Sequence, residues 1–158
     1  MSQKTMELYI HIPFCVKKCQ YCDFLSFAAD EATQAVYVEA LLREIAYYGP
    51  HCSDYLVSTV YIGGGTPSWL TEEWMAQIMS AVRRSFRLAS DVEISIECNP
   101  GTVTAQKFAV YRQSGINRIS LGLQSAQNVE LKMLGRIHTW EQFLKTYELA
   151  RAGGFSNI

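Results

Sequence analysis

Apolar positions along the chain follow two alternating rhythms, short strand-like runs and longer stretches of helical period. Glu7–Ile12 (ELYIHI) predicts a strand that leads into a loop holding three cysteines. Asp30 is placed to cap a helix running to Tyr48, with Tyr37, Leu41, Ile45 and Tyr48 on one face and Gly49-Pro50 as the stop. Val57–Ile62 (VSTVYI) predicts a second, largely apolar strand ending in Gly63-Gly64-Gly65-Thr66-Pro67. Thr71 then caps a helix whose stripe is Met75, Ile78, Met79, Val82 and Phe86, with Leu70 and Met75 at hydrophobic-staple positions.

The cycle repeats downstream. Val92–Glu97 predicts a third strand, followed by Asn99-Pro100-Gly101 and a helix from about Thr104 to Ser114 closed by Gly115. Ile116–Leu121 predicts a fourth strand, and Val129–Leu134 a short helix. A last helix begins at Thr139 with a capping box to Gln142, carries Phe143, Leu144 and Tyr147 inward, and ends at Gly153-Gly154. Phe155–Ile158 reads as the opening of a fifth strand.

Strands alternating with helices at this spacing imply right-handed parallel βαβ units. The expected class is therefore α/β, a parallel (β/α) partial barrel. A barrel unit takes roughly 30 residues, so the 158 residues correspond to four full units. The expectation is one domain, residues 1–158, forming the N-terminal part of a longer barrel; a complete small open sheet is the plainer alternative.

Composition narrows the function. The chain is 49% hydrophobic and 18% charged, with 14 basic and 15 acidic residues for a net charge of −1. No basic run exceeds Lys17-Lys18 and Arg83-Arg84, so neither a nucleic-acid partner nor an anionic membrane surface is indicated. No apolar run is long enough to span a bilayer, and the first residues do not read as a signal peptide. Five cysteines, three of them crowded between Cys15 and Cys22, suit a reducing compartment, here the cytoplasm, and a metal or redox site rather than a disulfide framework.

The spacing C-x3-C-x2-C in Cys15, Cys19 and Cys22 matches no common closed zinc site, which takes four protein ligands, usually as two separated pairs. His11, four residues upstream, lies on a strand and is a poor fourth ligand. A redox pair Cys19–Cys22 does not need the third thiol. A four-iron cluster held by three thiolates is favoured over both, because it leaves one iron free to take a small chelating molecule. Lys17 and Lys18 read as solvated loop residues, Cys52 and Cys98 as small packing residues, and Trp69, Trp74 and Trp140 as core or loop packing.

The cysteine motif with Tyr21 before its last member resembles the radical S-adenosylmethionine (SAM) superfamily. Tyr9–Cys15 (YIHIPFC), Gly63–Ser68 (GGGTPS), Glu97–Pro100 (ECNP), Ser120–Ser125 (SLGLQS) and Leu134–His138 (LGRIH), in that order, resemble the oxygen-independent coproporphyrinogen III oxidase family and its heme-chaperone relatives. The resemblance covers essentially the whole chain. It implies a partial six-unit (β/α) barrel followed by a C-terminal domain, of which this sequence supplies about the first two-thirds of the barrel.

The resemblance also implies a [4Fe-4S] cluster on Cys15, Cys19 and Cys22, with SAM beside Tyr9 and Tyr21. Gly64, Gly65 and Thr66 would receive its amino group, Arg136 would suit its carboxylate, and Glu97 and Gln124 would contact other polar groups. Taken alone, the three glycines are a tight turn, being neither a P-loop nor a dinucleotide fingerprint. The implied chemistry is reductive cleavage of SAM to methionine and a 5′-deoxyadenosyl radical, with an electron donor as a necessary partner.

Two branches share these features. One oxidatively decarboxylates coproporphyrinogen III to protoporphyrinogen IX; the other binds heme and delivers it to accepting proteins. In the oxidase branch the resemblance implies a fourth cysteine two residues after the third. Here Asp23 is followed by Phe24, which favours the heme-chaperone branch. The residues that would bind heme in the longer protein lie downstream of Ile158.

Overall fold

A computed structural model describes residues 3–158. Four strands, β1 (Lys4–Ile12), β2 (Tyr55–Gly64), β3 (Leu88–Cys98) and β4 (Arg118–Leu121), form one parallel sheet in the order β1-β2-β3-β4. Helices α1 (Glu31–His51), α2 (Glu72–Ser85) and α3 (Ala105–Gln113) fill the crossovers, and α4 (Asn128–Met133) and α5 (Trp140–Ala152) follow β4. Among the described residues no helix is long and apolar enough to cross a membrane.

Parallel register places like residues side by side. Ile10, Ile62, Ile96 and Ile119 pair in sequence across all four strands, and all are buried. Burying each such side chain contributes about 1.5–3 kcal/mol. Successive strand residues point to opposite faces, so the neighbouring row Tyr9, Tyr61, Ser95 and Arg118 lies on the other face. That face is polar and partly exposed, with Arg118 donating to the Ser95 hydroxyl at 3.1 Å.

The helix starts are set locally. Asp30, Thr71, Thr104 and Thr139 each accept a hydrogen bond from a backbone N–H of the first turn, and Thr139 with Gln142 completes a capping box. Leu70 and Met75 are both fully buried at the staple positions, and Met75, Ile78, Met79 and Val82 form the buried face of α2; Phe86 sits half-buried at its C-cap.

Several details differ from the sequence expectation. Helix α1 runs through Gly49-Pro50 to His51. Proline costs only one hydrogen bond in the last turn, and Gly49 is a packing residue, since a Cβ there would lie 2.6 Å from the Ser85 carbonyl oxygen of α2. The buried stripe of α1 is Gln34, Val38, Ile45 and Gly49, whereas Tyr48 is half exposed. Helix α5 likewise buries the small residues Thr146 and Ala150 and leaves Leu144 and Tyr147 at the surface, because it approaches the body closely enough for Thr146 Oγ1 to accept the Gly101 N–H at 3.2 Å.

Strand β4 begins at Arg118 rather than Ile116. The Asn117 amide takes over the sheet edge there, accepting from Ile94 N–H at 2.8 Å and donating to Val92 O at 2.9 Å. Beyond α5, Asn157 bridges Arg118 in parallel and accepts the Ile119 N–H at 3.0 Å, so the predicted fifth strand makes its first contact beside β4.

Candidate functional site

Carboxyl ends of parallel strands gather at one edge of the sheet, and the loops leaving them form a common rim. At the end of β1 the chain enters the cysteine loop. The loop is closed at its base where Cys15 N–H donates to Phe27 O at 3.0 Å and Phe27 N–H to Pro13 O at 2.8 Å. Phe14 packs edge-on against both Phe27 and Tyr37, with centroids 5.6 and 5.1 Å away. The end of β2 is joined to this base, with Gly65 N–H donating to Ile12 O at 2.8 Å and Thr66 N–H to Phe14 O at 2.7 Å. A Cβ on Gly65 would lie 2.7 Å from Phe14 O and 3.0 Å from Cys15 Sγ, so only glycine permits this approach.

A cavity of about 200 Å³ opens between these loops. Cys15, Cys19, Cys22 and Tyr21 line it from the cysteine loop. Gly65, Thr66, Glu97, Gln124 and Arg136 line it from the other strand ends. Tyr9 and Gly64 stand outside that lining. Tyr9 lies on the polar face of β1, stacked on Tyr61 at 6.2 Å, and its hydroxyl shares a 3.1 Å hydrogen bond with His11 Nδ1. Burial, with a smaller contribution from the Glu97 charge, raises the Tyr9 pKa. Gly64 acts through its backbone, donating N–H to Glu97 Oε2 at 3.1 Å.

Glu97 is fixed at both oxygens, since the Tyr61 hydroxyl donates to Oε1 at 2.8 Å. Burial first, and the carboxylate second, keep Tyr61 protonated above its ordinary range. Arg136 bridges three loops of the site. Its Nη2 donates to Asn99 Oδ1 at 2.8 Å and Gly122 O at 3.1 Å, and its Nη1 lies 3.6 Å from Cys19 Sγ and 3.4 Å from the Tyr21 hydroxyl. Its Nε is buried without a partner, so the guanidinium retains unused donor capacity.

Gln124 adopts a left-handed conformation with φ 71°, uncommon for a residue with a side chain. Its loop is clasped by the segment after α4, through Arg136 on Gly122 O and His138 Nε2 3.1 Å from Leu123 O. His138 is buried, and burial together with the Arg136 charge lowers its pKa. The neutral ring therefore carries its proton on Nε2 to serve the carbonyl. Lys107 ties the neighbouring loops together from below, its ammonium donating to the carbonyls of Ser68, Leu70 and Thr102 at 2.8, 2.8 and 3.3 Å.

Tyr61, Asn99 and His138 were not singled out from the sequence as site residues. Asn99 stands two residues beyond Glu97 and His138 two beyond Arg136, within the motifs that carry the resemblance, and this adjacency is the signal that points to them. Tyr61 had only its strand position, which turns it to the same face as Glu97.

His11 Nε2 is turned to Leu25 O at 2.9 Å, where it props the cysteine loop. Among the described residues no three His, Cys, Asp or Glu side chains converge on a single ion position. The three half-buried thiols instead surround the cavity, and Thr66 and Arg136 direct donors at Cys15 and Cys19. Thiols receiving hydrogen bonds, a glycine-thinned wall and a part-buried guanidinium on the cavity lining make a donor set that fits an iron–sulfur cluster with an anionic chelating ligand.

Relatives agree with this architecture. The chain is 44% identical over 154 residues to the heme chaperone HemW of Escherichia coli (strain K12), and 35% identical over 151 residues to that of Bacillus subtilis (strain 168). These matches cover 97% and 95% of the chain but span only 41% and 40% of those relatives. Coproporphyrinogen III oxidase (HemN) from Escherichia coli, a radical SAM enzyme, superposes with a TM-score of 0.89 at 31% identity, covering 98% of this chain and 36% of that one. The fold is thus the parallel α/β partial barrel seen in HemN, and the same fold recurs in anSMEcpe with bound AdoMet at a TM-score of 0.68 and 14% identity. The sequence model of the Radical SAM superfamily matches residues 9–158, and the chain belongs to that superfamily.

Proposed function

We propose that this chain is the cluster- and SAM-binding part of a heme chaperone. The observation that carries the reading is Phe24. It lines the cavity at 63% exposure, at the position where the resemblance implies that the oxidase branch has a fourth cysteine. The 44% identity to a heme chaperone, against 31% to the oxidase HemN, supports the same choice.

In this reading Cys15, Cys19 and Cys22 would hold a [4Fe-4S] cluster, with SAM beside it in the same cavity. Cluster and SAM together supply one-electron reductive cleavage of a sulfonium. The protein's own groups bind and orient. Gly64, Gly65 and Thr66 would receive the amino group, Arg136 would hold the carboxylate from the cavity lining, and Glu97, pinned by Tyr61 and Gly64, and Gln124 would contact other polar groups. Tyr21 on the cavity lining and Tyr9 on β1 would stand near the bound SAM. Such a site needs an electron donor and a reducing compartment, the cytoplasm, and heme is passed to accepting proteins.

Heme binding and porphyrin chemistry separate this reading from its rival. The protein in its full length is expected to bind hemin and to leave coproporphyrinogen III unconverted under anaerobic reducing conditions. Formation of protoporphyrinogen IX in that assay would make it the oxidase, the reading that likeness to HemN favours. The shared part is tested by anaerobic reconstitution with iron and sulfide, iron counting and electron paramagnetic resonance with and without SAM. A cluster retained by the Cys15/Cys19/Cys22→Ala variant would refute the ligand assignment.

A further inference from the structure

Two of the three thiols are joined by an unbroken hydrogen-bond path through three residues, with Asn99 at its centre. Arg136 Nη1 donates toward Cys19 Sγ at 3.6 Å, and its Nη2 donates to Asn99 Oδ1 at 2.8 Å. Asn99 Nδ2 in turn donates to Thr66 Oγ1 at 2.8 Å, and the Thr66 hydroxyl donates to Cys15 Sγ at 3.4 Å. Arg136 and Asn99 use a different atom for each partner, and the Thr66 hydroxyl accepts on its oxygen while donating its proton, so all four contacts coexist.

Asn99 is the one residue of the path that touches neither sulfur. Its place is fixed from the backbone, where its N–H donates to Ser68 Oγ at 3.2 Å and its carbonyl accepts from the Thr102 hydroxyl at 2.7 Å. An amide is the side chain suited to this position, since it offers an acceptor to the guanidinium and a donor to the hydroxyl at once. By occupying the Thr66 oxygen as an acceptor, Asn99 leaves the hydroxyl proton free to point at Cys15.

We propose that Asn99 is a positioning residue that holds Thr66 and Arg136 as hydrogen-bond donors to Cys15 and Cys19, and so sets the reduction potential of the cluster these thiols carry. The inference rests on the cluster reading above. Hydrogen bonds to ligand sulfurs withdraw charge and stabilise the reduced, more anionic cluster, which raises its potential. Replacing the amide by a carboxylate leaves Arg136 its acceptor but draws the Thr66 proton away from Cys15 and adds a negative charge.

The test is a dithionite redox titration of the SAM-free reconstituted protein, followed by electron paramagnetic resonance, for Asn99→Asp, Thr66→Val and Thr66→Ser. Asn99→Asp and Thr66→Val are expected to load iron like the parent and to titrate at more negative potentials. Thr66→Ser, which keeps the hydroxyl, is expected to titrate with the parent. A purely structural role would lower cluster content without moving the midpoint of the clusters that remain. An unmoved midpoint in either loaded variant would overturn the proposal and leave the cluster reading standing, as would loss of iron from both variants alone. A parent protein that takes up no cluster would remove the cluster reading and this proposal with it.

Discussion

The Tyr61 hydroxyl and the Glu97 carboxylate, on adjacent strands, meet in a 2.8 Å hydrogen bond beneath the cavity. Neither residue's neighbours in sequence require the contact; it follows from parallel register, which turns both side chains to the polar face. Tyr61→Phe removes one of the two donors holding Glu97 and leaves packing intact. A hydrogen bond to a charged group is worth about 1.5–3 kcal/mol, so SAM binding to the reconstituted protein is expected to weaken about tenfold or more. Calorimetric titration checks this, and unchanged affinity would show that Glu97 needs no fixing.

Acid is expected to loosen the fold through His138. Burial, then Arg136, hold its folded pKa below the unfolded value of about 6.5. The unfolded chain therefore binds this proton more readily, and the contribution of neutral His138 is fully present above about pH 6.5 and lost as pH falls through the folded value. Urea midpoints measured at descending pH should decline in that window. In His138→Gln this part of the decline should disappear.

Gly49→Ala tests the join between α1 and α2. Alanine favours a helix by about 1 kcal/mol over glycine, yet its Cβ would meet a backbone oxygen at 2.6 Å that cannot swing aside. Overpacking of this kind costs about 1–3 kcal/mol, so net destabilisation is expected, read as a lower urea midpoint at unchanged slope. A stabilised variant would mean that the helices separate freely here.

Cys98 should resist alkylation while the other thiols react. It is 3% exposed, and burial pushes its pKa up to about 12, so little thiolate exists near neutrality. Timed iodoacetamide labelling of the metal-free protein with mass-spectrometric mapping is expected to modify Cys15, Cys19 and Cys22 first. Early labelling of Cys98 would place it in contact with solvent.

What could be read from the chain divides along physical lines. The caps at Asp30, Thr71 and Thr139 were legible because each side chain bonds to backbone three residues away, and Thr104, read only as a helix start, caps in the same way. The end of α1 was not, since Gly49-Pro50 stops an isolated helix but here meets Ser85 of another element. Leu144 and Tyr147 were expected inside α5 on apolarity alone, whereas close approach selected Thr146 and Ala150. The cysteine, glycine and arginine positions of the candidate site stood in linear motifs. Asn99 and His138 gain their roles from Thr66, Arg136 and Leu123, partners brought to them by the sheet and the loops at its end.

The pairing of Phe14 with Phe27 means that the chain leaves the cysteine loop almost where it entered. Everything between them is a loop closed by aromatic packing at its root and held further along by His11 on Leu25 O, Arg136 on Cys19 and Tyr21, and Leu134 O on the Gln20 N–H. The segment that bears the chemistry is therefore laced to its surroundings, and a change inside it reaches β1, the turn after β2 and the segment after α4 together.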